Sequence, residues 1–285
     1  MSQFHGFSLD GFVLTEIDGR GCQWTVEDIQ GWFTGGDVRT ATVARSQQNG
    51  DWRGRGLRGG RLITLRGKVF CPDATALELS SRDFASVLSS GGFGEFVGYS
   101  AAGTLSAQVQ LDDAPLFDPQ SDRHATWQIT VGSEDNLLYG PPTFATTTLA
   151  ASAGGTGLLY PLSYPLNYGL APGVTPGALD LPNAGTASYF PRLRIDGAVT
   201  NPVVTLAETG AQIRYAGTVA AGQWLDIDCA RRRVLLNGVV SMRHKVSFVG
   251  AWPTVPVGGG TLSWSADSYG SSHQLSSWAF EGAWT

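Results

Sequence analysis

Charge is scarce in this chain. Asp, Glu, Lys and Arg make up 15% of its 285 residues, against 42% hydrophobic, a balance that excludes disordered and coiled-coil classes and leaves a globular one. The formal net charge of -5 gives no global attraction to nucleic acid or to an anionic membrane, so such a contact would have to be local. Cysteine is also scarce: Cys22, Cys71 and Cys229 are odd in number, widely spaced and without the short intervals of zinc ligands. No disulfide framework is expected, and each is read as a small buried hydrophobe. No window approaches the roughly 20 apolar residues of a membrane span, and the first residues lack a basic segment followed by an apolar run, so neither membrane insertion nor a leader is expected. The four histidines, His5, His124, His244 and His273, fall at no metal spacing. A Gly-x-Ser-x-Gly elbow is missing, and the glycines Gly54, Gly56, Gly59 and Gly60 lack the Lys-Ser/Thr ending of a phosphate loop. An enzyme, a metal and a cofactor are therefore not expected.

What is present is punctuation. Glycine numbers 38 and proline 14, and turn dipeptides such as Asp10-Gly11, Asp18-Gly19, Asp196-Gly197 and Asn237-Gly238 separate short alternating stretches. The length suits two domains, and the fold class is all-β with one α-helix. Arg61 to Phe70 alternates as a central strand. A helix is expected over about 73–90, begun by Asp73 as cap and closed by Gly91-Gly92, with Leu77, Phe84 and Leu88 on one face. Between the strands, Asn49 to Gly60 is so rich in glycine that a long mobile loop is expected. The first domain closes near Tyr139 (residues 1–139). Residues 140–183 change composition, with Pro-Pro, Gly-Gly and Tyr160, Tyr164 and Tyr168 beside prolines, as in an extended connector. Residues 184–285 return to short strands at regular turn spacing, the pattern of a β-sandwich.

Three groups of residues are candidate sites. Arg39, Arg45, Arg53, Arg55, Arg58, Arg61, Arg66 and Lys68 are eight of the 19 Lys and Arg, and Arg53, Arg55, Arg58 and Arg61 in particular suit an acidic partner or passing phosphates. The Asp226/Asp228 pair shares one face of a strand, but Leu225 and Ile227 supply the inward face, so two solvated aspartates outweigh a catalytic dyad. Trp224 and Trp252 are candidate contacts for a partner or for a cell-wall glycan, since an exposed indole stacks on a sugar ring; a carbohydrate-binding module is thus the alternative function.

Tyr189-Phe-Pro-Arg-Leu-Arg-Ile-Asp-Gly, Asn201-Pro-Val-Val-Thr-Leu, Thr218 to Cys229 and Arg233-Val-Leu-Leu-Asn-Gly, in that order, resemble the C-terminal β-sandwich of the distal tail proteins of siphophages. Gly60-Arg-Leu-Ile-Thr-Leu-Arg-Gly-Lys-Val followed by a helix supports the same family for the N-terminal half. The resemblance implies a structural virion protein at the distal end of the phage tail, assembled in the host cytoplasm. It implies an N-terminal domain like a tail-tube β-sandwich or split barrel, forming a hexameric ring, and a C-terminal galectin-like or jelly-roll sandwich. The implied partners are further copies of the chain, the tail tube protein, the tail-associated fibre or hub protein, the tape measure protein and receptor-binding proteins, with DNA passing transiently through the ring.

Overall fold

Strand Arg61–Phe70 shows how the first half is built. It buries Ile63, Leu65 and Val69 on one face and turns Leu62, Arg66 and Phe70 to the other, the period-2 pattern of a strand with one face in a core. In a computed structural model, which describes residues 4–149 and 177–285, it pairs antiparallel with Gln23–Gln30 on one side and His124–Ser133 on the other. The sheet runs in the order Phe12–Val13, Phe4–Leu9, Gly94–Ser100, Gly103–Leu111, His124–Ser133, Arg61–Phe70, Gln23–Gln30. Gly67 has to be glycine, because a Cβ there would run into the Thr25 carbonyl and the Trp127 ring.

The helix Ala74–Ser86 lays Ala76, Leu77, Ser80 and Phe84 on the sheet, and the Asp73 carboxylate accepts from the Ala76 N–H at 2.8 Å. It is shorter than the 73–90 span because Val87 leaves helical geometry and Leu88 takes a φ of 54°. Phe84 stacks on Trp24 at 5.6 Å and meets Trp127 at 5.6 Å; this aromatic cluster, closed by Phe12 and Phe117, is the centre of the core.

One expectation changes here. Cys22 and Cys71 form a disulfide. The register sets Gln23 opposite Phe70, so the residues just outside that pair, 49 apart in sequence, are brought side by side by strand pairing, which spacing along the chain cannot show. Cys229 alone is free and is buried, and burial, with Asp228 nearby, pushes its thiol far above the ordinary value.

The chain divides into two units, Met1–Pro141 with Trp284–Thr285, and Pro142–Ala283. Besides a small three-stranded sheet of Thr218–Val219, Val199–Thr200 and Ser268–Tyr269, the second holds two larger antiparallel sheets. One runs Pro142–Thr147, Gln274–Phe280, Arg192–Asp196, Trp224–Asp228, Arg233–Leu236, Val240–Ser241; the other runs Gly177–Leu181, Gly260–Ser265, Val203–Leu206, Ala211–Tyr215, Val246–Val249. Each buries one face, with Leu193, Ile195, Leu225, Ile227 and Leu275 on the first and Val204, Leu206, Ile213, Leu262 and Trp264 on the second, as in a β-sandwich. Both ends of the segment expected as a connector are strands: backbone hydrogen bonding to Gln274–Phe280 and Gly260–Ser265 orders Pro142–Thr147 and Gly177–Leu181. Tyr160, Tyr164 and Tyr168 lie outside the described residues. Asn183 ties this unit together: its amide donates to the carbonyls of Ala187, Val255 and Pro256 and its oxygen accepts from the Gly185 and Ala283 N–H groups.

Candidate functional site

Between Gly31 and Arg61 the chain leaves the first sheet as a two-stranded arm. Val38–Arg39 pairs with Leu57–Arg58 and Thr42–Ala44 with Asp51–Arg53, and the Gly54 N–H to Ala41 carbonyl and Gly59 N–H to Asp37 carbonyl bonds, both 2.8 Å, carry the ribbon between and below them. The glycines do not prevent regular structure here. They fall between the short strands, and the partner strand comes from Val38 to Ala44, which local composition does not reveal.

Arg53, Arg55 and Arg58 are exposed on this arm, together with Arg39 and Arg45. So are apolar side chains: Val38, Val43 and Trp52 are each 65% exposed, and Leu57 is exposed with them. Val43 and Trp52 are cross-strand partners and so share a face, where the Arg45 guanidinium covers the indole at 4.6 Å. A lone two-stranded ribbon is marginal in water, and one that exposes a Val-Trp pair and five arginines has the makeup of a contact element. Val38 to Ala44 is legible in the sequence as an apolar-rich stretch, but its pairing with Trp52 and Leu57 across the glycine-rich return is not.

Arg61 parts company with the other three candidate arginines. It is 2% exposed, and its guanidinium donates to the carbonyls of Gly31, Trp32, Thr34 and Asn136 at 2.6–3.2 Å. Burial, and then the Arg58 charge, pull it below its ordinary value, with Asp135 opposing. Its donors are used up on the root of the arm, which removes it from the side chains that can meet a partner; it holds the arm in place instead.

The two candidate tryptophans are separated. Trp224 is half-buried on the outer face of its sheet, with the Arg194 guanidinium 4.5 Å from its ring centroid and that guanidinium bonded to Asp196. Trp252 is buried, packed on Phe248 at 4.5 Å and covered by Arg243 at 5.4 Å. Neither presents a bare indole face to a sugar. Asp226, with its side chain 16% exposed, pairs with Arg192 at 3.5 Å, while half-buried Asp228 accepts from the Arg231 N–H. Among the described residues no three His, Cys, Asp or Glu side chains gather in a way that would hold a metal.

An exposed contact arm on a core of sheet and helix, followed by a β-sandwich, is the arrangement to compare with known proteins. Residues 184–279 match the family model of the siphovirus-type tail component, C-terminal domain. No curated protein matches the chain. The solved structure of the SPP1 Dit protein, described as a paradigm of the hub adsorption apparatus in phages that infect Gram-positive bacteria, is similar over 96% of this chain and 98% of its own, at 11% identity and a TM-score of 0.61. The phage P2 baseplate in its activated conformation is similar with Ca, over 95% of this chain and 94% of that one, and with Sr, over 97% and 99%, each at 12% identity and a TM-score of 0.52. The chain therefore shares the fold of the SPP1 Dit structure along nearly its whole length, mostly β with one helix, and residues 184–279 of its C-terminal unit resemble the tail-component domain.

Proposed function

We propose that this chain is a structural protein of a siphophage virion, a distal tail hub that joins the tail tube to the tip or baseplate and carries fibre or receptor-binding proteins. The observation that carries the reading is the whole-length likeness to the SPP1 Dit fold together with the tail-component match at residues 184–279. The role is mechanical rather than catalytic. In this reading the N-terminal unit closes a homo-oligomeric ring, a hexamer, by repeated heterologous contacts. The arm supports that reading. Residues 37–59 hold five arginines and two aspartates in a chain whose total is -5, so a basic, apolar-tipped ribbon meets an acidic remainder on the next copy. Tail tube, tape measure and tail-associated fibre proteins would stack on the ring, and the C-terminal galectin-like sandwich would take the outer attachments.

The test is the absolute mass of the purified protein by light scattering across a concentration series, with electron micrographs of the same fractions. A hexamer-sized particle with a central hole is expected. A monomer at every concentration, with no ring in the images, would overturn self-assembly through this chain alone.

A further inference from the structure

A second basic cluster lies in the C-terminal unit. Residues 229–266 contain no Asp or Glu, yet hold Arg231, Arg232, Arg233, Arg243, His244 and Lys245, all exposed. The fold brings the two triplets to one corner. Arg233–Leu236 turns back through Asn237 and Gly238, both at positive φ, to pair with Val240–Ser241, and the Met242 N–H then donates to the Val234 carbonyl at 2.9 Å. The 3-10 turn Arg243–Lys245 thus begins beside the residues that follow the Arg231–Arg232 turn.

Two features set this corner apart from an ordinary solvated surface. Among the described residues none of its five Lys and Arg side chains enters an ion pair, whereas Arg192 and Arg194, two strands away in the same sheet, are paired with Asp226 and Asp196. The one carboxylate at the turn, Asp228, sits opposite Arg233 in the register and accepts from the Arg231 backbone N–H at 2.8 Å. Arg243, in addition, is held in place: its guanidinium lies 4.4 Å from the Phe248 centroid and 5.4 Å from that of Trp252. Stacking fixes the plane and leaves the rim of N–H donors for an acceptor, the geometry in which arginine takes two oxygens of a tetrahedral anion.

We propose that this corner binds a chain of phosphodiester anions linked by polyol or sugar units. Two basic triplets on adjacent turns present several cations in succession, which suits an anion that repeats along a polymer. A nucleic acid would in addition seek an aromatic surface for its bases, and a peptide an aromatic or apolar anchor; Arg243 covers the rings that would supply either. The inference is independent of the hub reading, because it uses no residue of the arm and no self-assembly.

The test titrates the full chain at low salt with a synthetic glycerol-phosphate oligomer, alongside an oligonucleotide and a polyglutamate of matched charge and inorganic phosphate. The oligomer is expected to bind with an affinity that falls as salt rises, and the R231S/R232S double substitution to weaken it by about tenfold or more, in line with two lost phosphate contacts. R243K, which keeps the charge and loses the stacked fork, should weaken it by about threefold or more, while R53S/R55S on the arm should leave it unchanged. Near-ultraviolet circular dichroism checks that each variant is folded. No heat with the oligomer, equal binding by the corner variants, or equal affinity for the oligonucleotide, the polyglutamate or free phosphate would overturn the proposal.

Discussion

Single residues decide the root of the arm and the acid response of the first unit. Arg61 donates to four backbone carbonyls, so Arg61→Ala is expected to lower stability by about 3–5 kcal/mol through orphaned acceptors and a lost buried side chain. Arg61→Lys should recover part of this. A urea titration of both variants checks it, and a loss under 1 kcal/mol for alanine, well below the roughly 1–3 kcal/mol of even one orphaned group, would show that water replaces the guanidinium. Asp18 is the complementary case. Burial raises its carboxyl, but hydrogen bonds from the Trp24 indole, the Cys22 and Arg20 N–H groups and Ser80 outweigh that and hold it below the ordinary carboxylate value. A group depressed in the folded state stabilises above its unfolded value, here the ordinary 3.8, and that contribution is lost as pH falls through the lower, folded one. Asp18→Asn should therefore flatten the acid limb of a melting-temperature profile below about pH 4 while lowering stability at neutral pH; an unchanged acid limb would remove Asp18 from it. None of these roles was legible in the sequence. Arg61 looked like its exposed neighbours, because burial of an arginine depends on carbonyls supplied from residues 30 positions upstream and 75 downstream.

Elements were easier to read where their reasons are local. The Asp73 cap and the apolar face of the helix follow from neighbours within a turn or two, and so does the alternation of Arg61–Phe70. The arm was not legible as structure, because its strands are two or three residues long and pair across a glycine-rich return. Its arginines and the apolar-rich stretch Val38 to Ala44 were visible, and the cross-strand Val43-Trp52 pair was not. That pair carries a prediction about assembly. Exposed tryptophans buried on association are the usual hot spots, so Trp52→Ser should weaken self-association by about 30-fold or more, corresponding to about 2 kcal/mol, with the thermal melt of the isolated chain unmoved. Arg53→Ser with Arg55→Ser should act chiefly at low salt, where screening is weakest. Sedimentation at two salt concentrations separates the two; a Trp52 variant that assembles like the parent would leave that indole without a role in the proposed self-association.

At the scale of the molecule, the β class was readable from turn spacing, and the likeness to the SPP1 Dit fold from the order of strand and turn segments. The connector boundary was not, since Pro142–Thr147 and Gly177–Leu181 owe their order to distant partners. Nor was the Cys22–Cys71 bridge. It spans a loop of 49 positions, for which loop-closure entropy gives about 4 kcal/mol, so reduction should lower the urea midpoint of the first unit markedly; a midpoint that does not move on reduction would mean that the bridge adds nothing. The bridge has a second consequence. Its ends flank everything from Gln23 to Phe70, so the whole arm lies inside a covalent ring. A protease that cuts at the exposed arginines leaves a nicked molecule whose two pieces still migrate as one on a gel, and only a reductant parts them.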